Sequence, residues 1–179
     1  MCTTLQKTHM SACFYFRIIE GVFTVLLMKC DYPEGPSTWK PPSGGNDDNL
    51  YEDFEQTADR EFHEEAGPVI CEMIPLLGAQ QNMDADPSKN RGLHTKVWFL
   101  VLNIDGPMRT GIKQGKKSVL GVPTFVPVKE ALGLTGNRKI AGTHFDALRI
   151  AIKMYLDIYG RDQRVSESIS RDIPQSFLV

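Results

Sequence analysis

The sequence predicts an α/β fold, an α/β/α sandwich in which helices flank a mixed β-sheet. Three observations predict it. Residues 10–19 (MSACFYFRII), 22–29 (VFTVLLMK) and 93–105 (LHTKVWFLVLNID) are rich in β-branched and aromatic side chains, as strands are. Two longer stretches, near residues 50–66 and 143–159, repeat apolar side chains every three or four positions, the spacing of a helix with one buried face. A length of 179 residues with 41% hydrophobic content suffices for one well-buried core and is short for two, so residues 1–179 read as a single domain.

The first two runs flank Glu20-Gly21 and read as a hairpin. Residues 31–49 then become loop, because Pro33, Gly35, Pro36, Pro41, Pro42, Gly44 and Gly45 leave little room for a regular element. The first helix is expected over residues 50–66, with Asn49 as N-cap and Glu52 reaching back as in a capping box. Phe54, Ala58, Phe62 and Ala66 form its apolar stripe; Gly67 supplies a left-handed end and Pro68 bars continuation. Residues 72–81 and 93–105 follow as strands, joined by a polar loop over 82–92; the second is the most apolar run in the chain and belongs at the centre of the sheet. Residues 106–121 read as a glycine-rich loop carrying Arg109, Lys113, Lys116 and Lys117, followed by a short strand at 124–128 and a helical turn at 129–132. In the second long helix Thr143 caps with Asp146 three on, Leu148, Ile152, Tyr155 and Leu156 make the stripe, and Gly160 stops it. The tail, residues 161–179, is polar until Phe177, and the sequence leaves its order open.

Charge is unevenly placed. Residues 47–65 hold nine acids and one base, a net of −8, which leaves +6 for the rest of a chain with 20 basic and 22 acidic residues. An acidic pole facing a basic remainder suits a site that takes cations and then a polyphosphate, while overall charge near zero argues against a nucleic-acid partner. Cys2, Cys13, Cys30 and Cys71 form no CxxC pair and no zinc-like cluster with the histidines, so reduced thiols are expected. Neither a membrane-length apolar run nor a signal peptide is visible, and the expected compartment is cytoplasmic. Oligomeric state stays open, a homodimer included.

The chemistry concentrates in residues 44–67, GGNDDNLYEDFEQTADREFHEEAG. On a helix, Glu61, Glu64 and Glu65 lie three and four residues apart and share a face. Like charges at that spacing repel by about a few tenths of a kcal/mol per pair, so a helix selected only for stability would intersperse lysine. Their oxygens suit a hard divalent cation, Mg²⁺ or Mn²⁺. Arg60, among carboxylates, is placed to hold Glu52 or a neighbouring loop.

With Glu52 eight residues before Arg60, and the run REFHEEAG from Arg60 to Gly67, the segment resembles the signature of the Nudix hydrolases, G-x5-E-x7-R-E-U-x-E-E-x-G-U. Trp39 to Gly45 (WKPPSGG) is similar to the W-x-x-P-G-G approach to that box. The resemblance implies a Nudix-like α/β/α sandwich over about residues 10–160, and a hydrolase that cleaves the pyrophosphate of a nucleoside diphosphate linked to another moiety. It implies Glu61, Glu64 and Glu65 as metal ligands, a backbone carbonyl at Gly45 as a further one, and Glu52 and Arg60 as the residues that orient them. Arg109, Lys113, Lys116 and Lys117 are candidates for substrate phosphates. The implied partner is a small nucleotide: a nucleotide sugar, an ADP-ribose-like compound or a nucleoside triphosphate. The alternative is a catalytically weak Nudix-fold module that binds nucleotide or regulates. The sequence departs from the family pattern in three ways, two in the box and one downstream. Six residues separate Gly45 from Glu52 where the pattern has five, which reads as a surface bulge; Pro68 replaces the last aliphatic; and no acid lies between Asp105 and Glu130. The general base is therefore a box glutamate, or one of Asp84, Asp86, Asp105 and Glu130.

Overall fold

A computed structural model describes residues 6–46, 51–83, 91–114 and 118–177. Strands β1 (Gln6–Ile19) and β2 (Val22–Asp31) pair antiparallel from Phe16↔Val25 to Ile19↔Val22. Glu20 and Gly21, at φ 51° and 77°, make the tight turn between them. Two short strands, β3 (Thr38–Lys40) and β4 (Ser43–Gly45), break the expected loop and pair with β2 and β1. Helix α1 (Phe54–Ala66) follows, then β5 (Ile70–Pro75), β6 (Gln81–Met83) and β7 (Arg91–Asp105). Strand β7 lies between β5 and β1, antiparallel to one and parallel to the other, as its apolar sequence requires of a central strand. Two residue pairs of the expected 106–121 loop also form strands, β8 (Lys113–Gln114) and β9 (Val119–Leu120), which extend the sheet beyond β2. After β10 (Thr124–Pro127) and the turn α2 (Val128–Ala131) come α3 (Phe145–Tyr159) and α4 (Gln163–Asp172).

Alternation along the strands sorts side chains into two cores. Cys13, Tyr15, Leu26, Phe99 and Val101 bury with Ala58, Phe62 and Ala66 of α1. Ala12, Phe14, Phe16, Leu27, Trp98 and Leu100 face the other way, onto Leu148 and Ile152 of α3 and Val165 and Ile169 of α4. The sheet therefore sits between helical layers, the predicted sandwich. Among the described residues no helix is long and apolar enough to cross a membrane.

Several boundaries differ from expectation for local reasons. Helix α1 starts at Phe54, with Asp53 as N-cap: its side chain accepts the Gln56 N–H at 2.8 Å, and the Gln56 side chain accepts the Asp53 N–H at 3.0 Å. Glu52 does not close the box because Arg60 and Thr57 hold its carboxylate. Asn49 lies outside the described residues. Gly67 is not in the left-handed helical well but at φ 132°, and a Cβ there would come within 2.6 Å of the Pro107 carbonyl oxygen. The 72–81 strand divides into β5 and β6 around a turn at Gly78 (φ 86°). Thr143 lies in a 3-10 turn, Gly142–His144, and does not cap α3. Gly160 does end α3 as expected, as its C-cap, but with a right-handed torsion (φ −66°), and α4 begins three residues later. The tail thus docks: Val165, Ile169 and Ile173 are buried, and Asp172 accepts the Phe23 N–H at 3.2 Å.

Candidate metal and catalytic site

Strand β1 fixes the height of α1 through polar side chains at alternate positions, all on one face. Ser11 donates to the Phe54 carbonyl at 2.7 Å, Cys13 donates to the Ala58 carbonyl at 3.7 Å, and His9 Nε2 lies 2.8 Å from Thr57 Oγ1. Thr57 in turn donates to Glu52 at 3.1 Å, so His9 is the donor to Thr57 and the chain of bonds runs from the sheet to the site.

Arg60 is the hub. Its Nε and Nη2 grip Glu52 at 2.9–3.1 Å, its Nη1 donates to Glu61 at 2.7 Å and, more loosely, to Glu64 at 3.4 Å, and Nη2 also reaches the Gly45 carbonyl at 2.9 Å. Helix α1 is thereby tied both to the segment before it and to β4. The Gly45 carbonyl, expected on a metal, is turned to Arg60.

The three glutamates have three environments. Glu61 is 13% exposed and packed on Gly44, where a Cβ would fall 2.1 Å from its Cδ; only glycine leaves room for it. Burial, with the nearby charges of Glu65 and Glu64, pushes its pKa up despite Arg60. One of its oxygens has no partner among the described residues. Glu64 is 46% exposed and meets Lys113 at 2.8 Å, which holds its carboxyl below the ordinary range. Glu65 is 6% exposed; Lys40 lies 3.1 Å from one oxygen and the Ser43 N–H donates to the other at 2.8 Å. Among the described residues no three His, Cys, Asp or Glu side chains converge into a ready-made metal cage.

A family model of the NUDIX domain matches residues 10–146. The chain belongs to the NUDIX domain family. Its solved likenesses are distant and speak to the fold. They include the NUDIX domain of Shewanella oneidensis NrtR complexed with ADP ribose, at 17% identity, TM-score 0.57, covering 82% of this chain and 87% of that one. A Caenorhabditis elegans Ap4A hydrolase binary complex follows at 18% identity, TM-score 0.54, covering 86% and 98%. A MutT from work on Aliivibrio salmonicida and Vibrio cholerae stands at 18% identity, TM-score 0.52, covering 82% and 98%. No curated protein matches by sequence.

Within this Nudix site, the basic loop divides. Arg109 is spent on the chain itself, donating to the carbonyls of Glu65 and Gly121 at 2.8 Å and to that of Gly111. Lys113 reaches the box through Glu64. Lys116 and Lys117 lie outside the described residues, as do Asp84 and Asp86. Glu130 is committed to Arg138 at 2.6 Å and to the N–H groups of Asn137 and Arg138, and Asp105 ends β7 opposite Ile70.

Sequence reading missed Lys40, Ser43 and Asn46. The first two secure Glu65. Residues 47–50 of the expected surface bulge lie outside the described residues, but Asn46 is not part of the surface: it is 2% exposed, its side chain accepts the His9 N–H at 2.8 Å, and its own N–H donates to the His9 carbonyl at 3.1 Å. It stands six before Glu52, where the box pattern has glycine, so counting backward from Glu52 would have drawn attention to it.

Proposed function

We propose that the chain works as a single-domain, metal-dependent hydrolase that cleaves the pyrophosphate of a nucleoside diphosphate linked to another moiety. The observation that carries this reading is Glu61: a carboxylate largely withdrawn from water, destabilised as an anion by burial, packed into the space that the missing side chain of Gly44 leaves, with one oxygen unpartnered among the described residues. A buried anion with spare acceptor capacity calls for a cation. The donor set is all carboxylate oxygen, which fits Mg²⁺ or Mn²⁺; Mg²⁺ takes one or two carboxylates and completes its shell with water and substrate phosphates.

When bound, such a metal neutralises phosphate charge and lowers the pKa of a coordinated water. The protein's own residues do the rest. Glu61 and Glu64 would hold the cation, Arg60 keeps Glu61 and Glu52 in register with β4, and Lys113, once displaced from Glu64, would be free to meet a substrate phosphate. Candidate substrates are nucleotide sugars, ADP-ribose-like compounds and nucleoside triphosphates; ADP ribose is the ligand of one fold relative.

The Lys40 contact to Glu65 favours a second reading, a weakly catalytic module that binds nucleotide. Phosphate release from a nucleotide panel with Mg²⁺, Mn²⁺ or EDTA, run beside calorimetric titration of the same nucleotides, separates the two. Metal-dependent turnover of at least one diphosphate-linked compound is expected. Tight nucleotide binding without turnover in either metal would establish the second reading instead.

A further inference from the structure

The inference rests on the proposed metal site and concerns which carboxylates the cation uses. Glu64 and Glu65 are neighbours in sequence and each carries a lysine, but the two pairs differ in kind. Lys113 and Glu64 are 32% and 46% exposed, so water and salt compete freely for both. Lys40 and Glu65 are 14% and 6% exposed. The Lys40 amine also donates to the Ser43 carbonyl at 3.0 Å and lies 3.2 Å from Ser43 Oγ, so the β3–β4 segment holds it independently of Glu65. Glu65 in turn receives a charge on one side and the Ser43 N–H on the other. Unlike Glu61, it has little left to offer a metal.

We propose that Lys40 is a built-in counter-ion: it holds the charge of Glu65 in place of a divalent ion, so that the resident metal is shared by Glu61 and Glu64 alone. A divalent ion on Glu65 is costly, because it would leave the ammonium, held by Ser43 in a water-poor site, without a counter-charge. Displacing Lys113 from Glu64 is not, since water receives the amine. Lys40 therefore acts as a positioning residue, setting how many carboxylates the metal finds.

Calorimetric titration of Mn²⁺, without nucleotide, tests this in four proteins: wild type, Glu61→Gln, Lys40→Met, and Lys40→Met with Glu65→Gln. Glu61→Gln should weaken Mn²⁺ by about a hundredfold. The double variant removes both charges of the pair together and should keep the wild-type stoichiometry and affinity. Lys40→Met alone exposes Glu65 and should bind one further Mn²⁺ per chain. The proposal is overturned if the double variant loses Mn²⁺ as Glu61→Gln does, or if Lys40→Met binds no more than wild type. Should Lys40→Met not fold, the double variant, which leaves no unpaired charge, decides. If wild type binds no Mn²⁺ at all, the metal reading falls, and Lys40→Met still decides the role of Lys40 by whether it gains an ion.

Discussion

Helices α1 and α3 lie on opposite faces of one sheet and are held there by different physics. On α3, Leu148, Ala151 and Ile152 are fully buried and Ile150, Met154, Tyr155, Leu156 and Tyr159 pack around them, so its anchorage is apolar area. On α1 only Ala58, Phe62 and Ala66 are buried apolar side chains; the rest of its hold comes from His9, Ser11, Cys13 and the Arg60 hub. A helix face that carries carboxylates cannot be anchored by apolar contact. It is positioned by directional bonds, which fix height and rotation more closely than apolar contact does. Helix α3 should therefore answer to changes of volume and α1 to changes of charge.

The largest effect should come from volume. Leu148→Ala empties a fully buried position in the α3 core and should cost about 2–5 kcal/mol of stability. Turnover per folded molecule should stay at the wild-type value. Denaturant unfolding, with activity normalised to folded protein, checks both halves; a large loss of turnover in the folded fraction would break the division between the faces.

Charge removal on α1 should do the reverse. Glu61→Gln should lower kcat by about a hundredfold, near 2.7 kcal/mol in the barrier. Because the folded pKa of Glu61 is raised, its charge destabilises the fold, and this penalty is complete only above the folded value. The variant should therefore be more stable than wild type near neutral pH without metal. The gap should close as pH falls below the unfolded value of about 4.3, where Glu61 is protonated in both states. Thermal melts across pH, with EDTA present, measure it; equal melting temperatures at neutral pH would mean the carboxylate is adequately solvated after all.

The same division explains what could be read from sequence. Periodicity reports burial, so the β1–β2 hairpin, the central β7 and the stripes on α1 and α3 were legible, as was the fixed spacing that puts Arg60 beside Glu52 and Glu61. Caps and short strands were not, because Asp53 and Asn49 are equally good N-caps in isolation, and the Glu52 that would close a box on Asn49 is held by Arg60, while Gln56 closes one on Asp53. Lys40 lay hidden for a related reason: its partner Glu65 is 25 residues away, and a lysine among prolines carries no local pattern. The order of the tail stayed open for a third reason. Val165 and Ile169 are four apart on an otherwise polar helix, a stripe too thin to stand out until the hairpin turn at Gly21 is seen to receive Ser168 and Arg171.

The smallest effect should lie where α1 meets water, and it sharpens how far sensitivity to charge extends. Lys113 lowers the pKa of Glu64, so its contribution to stability is present above the unfolded carboxylate pKa and is lost as pH falls through the folded one. Both side chains are exposed, which limits that contribution to about 0–1 kcal/mol. Lys113→Gln should thus change the melting temperature little at neutral pH in low salt, and less still at about 1 M salt, where the Debye length shrinks to roughly 3 Å. Its clearer signature should be in ligand terms: Mn²⁺ binds somewhat tighter, since Glu64 no longer has to release an amine, while KM for a diphosphate substrate rises and loses part of its salt dependence. Steady-state kinetics over a salt series, beside Mn²⁺ titration, reads both. An unchanged KM at low salt would confine Lys113 to its partnership with Glu64, and a large drop in stability would show that the polar edge of α1 carries more of the fold than its exposure implies.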